Sequence, residues 1–238
     1  MKERLRKKFL ELCQEDTPMI RRACASRLGE FSSNLEKQHI VQELLPIYRQ
    51  LSQDDQDAIR VLCIESLIQI AANLSKEENR VHTLGSLLNA GEDKSWKVRL
   101  CFARNFAKFA ESFGKDITDN NLIQTFVSLL QDAEPEVKNA AIISLSSSLK
   151  SLSVEKIVNM IIPILQKWPE QQVAYKSGVA IALCKMASIV GKDVSHRLNS
   201  ELIELWKDDN SEVRLNVVQN YKLVAQVLEG DTCDAKLY

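Results

Sequence analysis

The side chains able to do chemistry in this 238-residue chain are a few acid pairs, six cysteines and three histidines. Asp54/Asp55 and Asp208/Asp209 place carboxylates side by side, the raw material of general acid–base catalysis. Both pairs stand just before aliphatic residues at helical spacing, where an acidic side chain caps a helix. Repeat-matched caps explain them better than catalysis does. Cys13, Cys24, Cys63, Cys101, Cys184 and Cys233 form no CxxC pair, and most fall in apolar helical patterns, the setting of reduced core thiols. His39, His82 and His196 are isolated from one another and from any cysteine pair, so zinc-ligand spacing is missing. Glycine-rich phosphate loops, GxSxG, HExxH and kinase signatures are also missing. The sequence therefore predicts a protein that is not an enzyme, with no catalytic residues, no metal and no cofactor.

The acids belong to a turn that recurs. Its copies are Asp16-Thr17-Pro18-Met19-Ile20-Arg21, Asp55-Gln56-Asp57-Ala58-Ile59-Arg60, Asp93-Lys94-Ser95-Trp96-Lys97-Val98-Arg99, Asp132-Ala133-Glu134-Pro135-Glu136-Val137-Lys138 and Asp209-Asn210-Ser211-Glu212-Val213-Arg214. Pro169-Glu170-Gln171-Gln172-Val173-Ala174 is a weaker copy, in which Lys176 takes over the basic position. The aliphatic anchors at 20, 59, 98, 137, 173 and 213 are separated by 39, 39, 39, 36 and 40 residues. A period near forty marks a helical-repeat solenoid of HEAT or armadillo type. The expected fold is all-α: about six antiparallel helix pairs in a right-handed superhelix. The repeats are placed at about 1–35, 36–75, 76–114, 115–152, 153–191 and 192–229, with a tail at 230–238.

Each copy carries a local logic. The Asp can accept hydrogen bonds from the first amides of the following helix. The Val or Ile packs inward. The base beside it can reach the Asp of the neighbouring repeat, building a ladder of exposed ion pairs, each contributing about 0–1 kcal/mol. The helices themselves are expected at about 2–14 (stripe Leu5, Phe9, Leu12, Cys13) and from Thr17 to Leu35. Next come a helix from His39 kinked at Pro46, then 56–74, 77–90 (Val81, Leu84, Leu87, Leu88) and 95–113. Gly91 is expected to end the 77–90 helix in a left-handed conformation. Helices 118–131, opened by Thr118 or Asp119, and 134–151 follow, then one kinked at Pro163, then 194–207 and 210–228. The Ser144, Ser146, Ser147, Ser148 run reads as a polar or close-packing helix face.

Composition narrows the partners. Thirty-one bases against 32 acids, interspersed, leave no basic stripe for nucleic acid. The basic start, Met1 to Lys8, lacks the apolar segment of a signal peptide, and no apolar run is expected to cross a membrane. No nucleic-acid or membrane partner is expected, and the cytoplasm, with the nucleus as a second compartment, is the expected location. Trp96 and Met19 stand out as bulky apolar residues in turns, where each either covers the adjacent repeat or serves as a hot spot for protein binding.

Beyond the period, particular turns carry a resemblance. Asp16-Thr17-Pro18-Met19-Ile20-Arg21-Arg22-Ala23, Arg27-Leu28-Gly29-Glu30-Phe31, Glu92-Asp93-Lys94-Ser95-Trp96-Lys97-Val98-Arg99, Glu212-Val213-Arg214-Leu215-Asn216 and Gly191-Lys192-Asp193 resemble the HEAT-repeat scaffold (A) subunits of protein phosphatase 2A, middle repeats. The resemblance implies a non-catalytic scaffold that binds phosphatase regulatory (B-type) subunits, and in its later repeats the catalytic subunit, through intra-repeat turns. The turn positions that match are Asp16, Pro18, Met19, Arg22, Asp55, Asp57, Trp96 and Lys97. Six repeats are far fewer than that family carries, and the stretch matching the catalytic-subunit end is missing. The competing reading is another HEAT adaptor, such as a transport receptor or assembly factor.

Overall fold

A computed structural model describes residues 2–167 and 172–228, and all its regular elements are helical. The chain divides after Leu129 into two compact units.

In the first unit, Lys2–Leu12 packs on Pro18–Ala25 and its continuation Leu28–Ser32. The aromatic contact between them is Phe9 stacked on Phe31, ring centroids 4.1 Å apart. Two expectations fail here. Helix 17–35 breaks after Ala25, where the Ser26 hydroxyl donates to the Ala23 carbonyl at 2.7 Å. That bond competes with regular helix pairing. Leu5, placed on the inward stripe, is 64% exposed. The partner helix ends at Ser32, one residue past Phe31, so it offers nothing opposite a side chain one turn before Phe9.

Proline shapes the next pair in an unforeseen way. A π-helical turn, Ile40–Leu44, precedes Leu45–Leu51, and Pro46 is that segment's second residue. The expected kink at Pro46 takes this form, because the widened turn re-registers the carbonyls where the proline ring would clash. Proline is not the whole cause. An identical five-residue π turn, Thr118–Leu122, precedes Ile123–Leu129, which contains no proline.

Asp57–Ala72 and Trp96–Phe113 form the centre of the first unit and pack on each other. Phe102, Phe106, Phe109, Phe113 and Phe126 are completely buried or nearly so, and Phe106 stacks on Phe126 at 3.8 Å. Between those two helices the chain forms Lys76–His82 and Leu84–Gly91 rather than one helix. Val81, expected inside, is 62% exposed. Buried Asn79 and Thr83, one turn apart, hold the inward face instead. Asn79 Nδ2 donates to the Ala71 carbonyl at 2.9 Å, and Thr83 Oγ1 donates to the Asn79 carbonyl at 2.9 Å.

The glycine expectations also shift. Gly91 is not left-handed; its need is for size, since a Cβ there would lie 2.3 Å from Thr125 Cγ2. The left-handed glycine is Gly114, at φ 82°, and Lys115 rather than Thr118 or Asp119 begins the next helical stretch. Thr118 is instead buried and donates to the Gly114 carbonyl at 2.8 Å. Gly191 and Ser195 repeat this device in the second unit, with φ 86° and a 2.7 Å bond.

The second unit contains Pro135–Ser148, a π turn at Ile157–Ile161 before Ile162–Leu165 with Pro163, Val173–Val190, Lys192–Arg197, Asn199–Trp206 and Ser211–Leu228. Ser144 and Ser148 of the serine run are buried and bond back to the Ala141 and Leu145 carbonyls, while Ser147 is exposed. Val173–Val190 corrects the reading of apolar runs. By length and composition it could cross a membrane, yet 61% of it is buried. It packs on Pro135–Ser148 and on Ser211–Leu228, as a central core helix does. Residues 169–171 of the weak turn copy, and the tail at 230–238 with Cys233, lie outside the described residues.

Candidate partner-binding turn ridge

In four of the turns the organising acid sits five residues before its anchor. Asp54, Asp93, Asp132 and Asp208 each accept, through Oδ1, the backbone N–H two residues on, at 3.0, 2.8, 2.9 and 2.9 Å. This Asx-type turn corrects the register read from sequence at Asp55 and Asp209, which lie one residue too late. It also moves the bond to the residue before the helix. No side-chain cap bond is made by the N-cap residues Thr17, Gln56, Ser95 or Glu134.

Four anchors are followed by an arginine, which binds its own turn through one edge of the guanidinium. Its Nη1 donates to carbonyls of its own turn: Arg21 to Glu15 and Asp16 at 3.0 and 2.8 Å, Arg60 to Asp54 and Asp55 at 2.8 and 3.2 Å, Arg99 to Asp93 at 2.8 Å, and Arg214 to Asp208 and Asp209 at 2.6 and 2.9 Å. In Arg21 and Arg60 the opposite edge reaches the next turn. Arg21 Nε donates to Asp54 Oδ2 at 2.7 Å, and Arg60 Nε and Nη2 grip Asp93 with two 2.7 Å bonds. In the second unit Lys176 Nζ donates to Asp208 Oδ2 at 2.7 Å, so Lys176 fills the basic position as expected.

The ladder therefore exists within each unit, but its energetics differ from those of an exposed ladder. The Arg60 and Asp93 side chains are 7% and 12% exposed, and Arg21 and Asp54 are 19% and 6%. Burial alone would raise the Asp93 and Asp54 carboxyls. The arginine bonds and the turn amides outweigh it and hold both below the ordinary aspartate range. The Lys176 bond lowers Asp208 likewise. Charge-assisted bonds shielded from water resist screening far better than surface pairs.

On this stitched frame the candidate residues fall as follows. Asp16, Pro18, Met19 and Arg22 are exposed at the start of Pro18–Ala25, with Met19 at 79%. Asp55 is exposed in the second turn, where only its carbonyl is used. Asp57 and Trp96 are the first residues of their helices, and Lys97 follows Trp96. The structure brings Asp57 and Lys97 together across two turns. Ser95 Oγ donates to Asp57 Oδ2 at 2.9 Å, and Lys97 Nζ stands 3.8 Å from the same oxygen. The Ser95 bond, ahead of Lys97, lowers the Asp57 carboxyl. Ser95 was missed in the sequence, although its place directly before Trp96 signals a helix start. Trp96 keeps 38% of its surface in solvent. The arrangement consumes the inner donors and acceptors of the turns and leaves Met19, Trp96 and flanking charges facing outward. Such a surface suits recognition of another protein rather than bond-making.

No known family profile matches the chain. Individual relatives do. It is 38% identical to the beta isoform of the human 65 kDa regulatory (A-type) subunit of serine/threonine-protein phosphatase 2A, over 95% of this chain and 39% of that protein. It is 48% identical to the protein phosphatase 2A scaffold subunit of Dictyostelium discoideum over 56% of this chain and 23% of that one. The chain is a homologue of the phosphatase 2A scaffold (A) subunits. This scaffold homologue spans about two-fifths of the length of its human relative. Solved structures agree on architecture. The karyopherin Kap121p superposes with a TM-score of 0.74 at 18% identity over 93% of this chain and 23% of that chain. A designed armadillo repeat protein gives 0.62 at 17% identity, over 91% of this chain and 98% of that one. At such identities these likenesses establish the HEAT/armadillo fold and nothing more.

Proposed function

We propose that this scaffold homologue is a non-catalytic element of a phosphatase 2A-type serine/threonine phosphatase complex. It binds B-type regulatory subunits through the turn ridge of its first three repeats. The observation that carries this reading is the pairing of exposed Met19 and Trp96 with a frame of buried Arg–Asp stitches. The frame holds each turn in one conformation before binding, so little ordering entropy remains to oppose association. Asp16, Pro18, Arg22, Asp55, Asp57 and Lys97 supply a largely charged rim around the two apolar anchors. Similarity to a phosphatase scaffold subunit over 95% of the chain supports phosphatase subunits as the partner class.

The test is affinity capture from extract of the source cell, read by mass spectrometry, with the Trp96→Ala/Arg22→Glu chain alongside. The reading requires phosphatase subunits with the natural chain and their loss with the variant, both folded by circular dichroism. Recovery of transport cargo and no phosphatase subunit from the natural chain favours the general HEAT-adaptor reading instead.

A further inference from the structure

We propose that a cleft between the third and fourth repeats binds a short acidic segment of a partner protein in extended form, with Lys76 and Lys115 holding its carboxylate. The inference is independent of the phosphatase reading. Every wall of the cleft belongs to the first unit. Lys76–His82 and Leu84–Gly91 lead to the Asp93 turn, and Trp96–Phe113 returns from it to Gly114. Lys76 and Lys115 therefore stand at the opposite ends of these helices from the Trp96 turn, and a segment bound there leaves the ridge free.

The start of the third repeat decides what faces the cleft. Glu78 is spent on the Ser75 amide and hydroxyl and on Lys37 of the preceding repeat, at 2.8, 2.6 and 3.0 Å. Glu77 is spent on Arg80, one turn along. Lys76 has no acidic partner among the described residues. Its stem lies across Gly114, where a Cβ would stand 2.8 Å from Lys76 Cε and 2.9 Å from Nζ. A residue without a Cβ, here at φ 82°, gives the lysine that seat. Lys115 is its counterpart one period on, 39 residues later, and it too is exposed and without an acidic partner among the described residues. Between the first helices of the earlier repeats the contacts join opposite charges, Arg6 to Glu43 at 2.8 Å and Lys37 to Glu78 at 3.0 Å. Here two like charges line one cleft of about 610 Å³. That volume falls within the range of about 300–1,000 Å³ typical of ligand sites.

The remaining lining suits a peptide better than a bare polyanion. Asp116, beside Lys115, opposes a multiply charged anion but can accept a bond from a peptide N–H. Asn120 and Asn121, exposed one turn further along, carry amides that both donate and accept, as a peptide backbone requires. Phe113 and Ile117, 1% and 9% exposed, add apolar surface. Lys76, Arg80 and Lys115 against Glu77 and Asp116 leave an excess of one positive charge, which a single carboxylate neutralises. Neighbouring helices pack about 8–10 Å apart and an extended chain advances about 3.3 Å per residue, so about three residues cross from one lysine's helix to the other's.

An array of hexapeptides, each with one position fixed and the others randomised, is probed with the labelled 238-residue chain. The expected result is selection of Asp and Glu over Lys and Arg at one fixed position or more. The selected peptide, dye-labelled, is then titrated with the chain by fluorescence anisotropy. Lys76→Glu and Lys115→Glu should each weaken binding by about tenfold or more, with circular dichroism unchanged because both sites are exposed. Lys108→Glu makes the same charge change at an exposed site of the first unit that does not line the cleft, and should leave the affinity as it was. An array with no preference for acidic residues overturns the proposal. So does a selected peptide that binds equally well after Lys76→Glu and Lys115→Glu, or one that Lys108→Glu weakens just as much.

Discussion

Replacing Asp93 by Asn keeps the size of the side chain and removes its charge, which isolates what the Arg60–Asp93 stitch contributes. Asp93 accepts two bonds from Arg60 at 2.7 Å and one from the Ser95 amide at 2.8 Å, in a pair whose side chains are 7% and 12% exposed. The asparagine retains one acceptor oxygen but turns an N–H₂ toward a guanidinium that can only donate. Arg60 is left as a shielded cation with one repulsive neighbour. Breaking a buried pair from one side costs about 3–5 kcal/mol. The lower end, about 3 kcal/mol, applies here because Arg60 Nη1 keeps its bonds to the Asp54 and Asp55 carbonyls. Glu30→Gln is the internal comparison: the Arg27–Glu30 pair is 70% and 67% exposed and its loss should cost under about 0.5 kcal/mol. Native-state hydrogen exchange resolves the effect locally, which suits stacked repeats that need not unfold as one. Asp93→Asn should lower protection across Asp57–Ala72 and Trp96–Phe113 by the larger amount, and Glu30→Gln should leave both helices unchanged. A loss below about 1 kcal/mol for Asp93→Asn would mean that water screens the stitch like any surface pair, and the argument for a rigid ridge would fail.

Two further perturbations follow from the same geometry. Asp54 and Asp93 are held below their ordinary range, so their stabilisation is complete above the unfolded aspartate value of about 4 and drains away as pH falls through the lower folded values. Ellipticity followed in an acid titration should therefore hold steady from about pH 8 to 5 and fall below about 4. Arg60→Met should move that fall to higher pH, because burial then raises Asp93 against the Ser95 amide and Lys94 without the arginine, and an unmoved midpoint contradicts the assignment. Gly91→Ala places a methyl 2.3 Å from Thr125 Cγ2 and should destabilise the first unit by about 1–3 kcal/mol in urea unfolding. Thr125→Ser removes that methyl and should recover most of the loss; no recovery would place the glycine's role elsewhere.

The period and the anchors were legible because they depend on spacing alone. Ile59, Val98, Val137 and Val213 are all at most 1% exposed, whereas the anchors Ile20 and Val173 are only half-buried. What spacing could not settle was competition among polar groups. Asp54 and Asp55 look equivalent in sequence, yet only the residue two positions before the helix-opening amide can close the Asx turn. Asn79 and Thr83 were passed over as polar, and their mutual bonds took the inward face from Val81. Burial of the arginine ladder was hidden for a related reason. The long methylene stem of Arg60 lies within the repeat stack while its head is satisfied by two turns at once, an arrangement visible only when both turns are in place. Spacing left open whether Met19 and Trp96 cover the adjacent repeat or face solvent; their exposures of 79% and 38% settle that. Their proposed role in binding draws on similarity to the phosphatase scaffolds and on the buried stitches beneath them.

Isothermal titration of a purified phosphatase 2A B-type regulatory subunit into this chain tests the central claim most directly. The account predicts saturable binding, weakened by about a hundredfold in the Trp96→Ala/Arg22→Glu chain, since loss of a hot-spot pair costs at least about 2–3 kcal/mol. Equal affinity for the natural and altered chains, both folded, would contradict it.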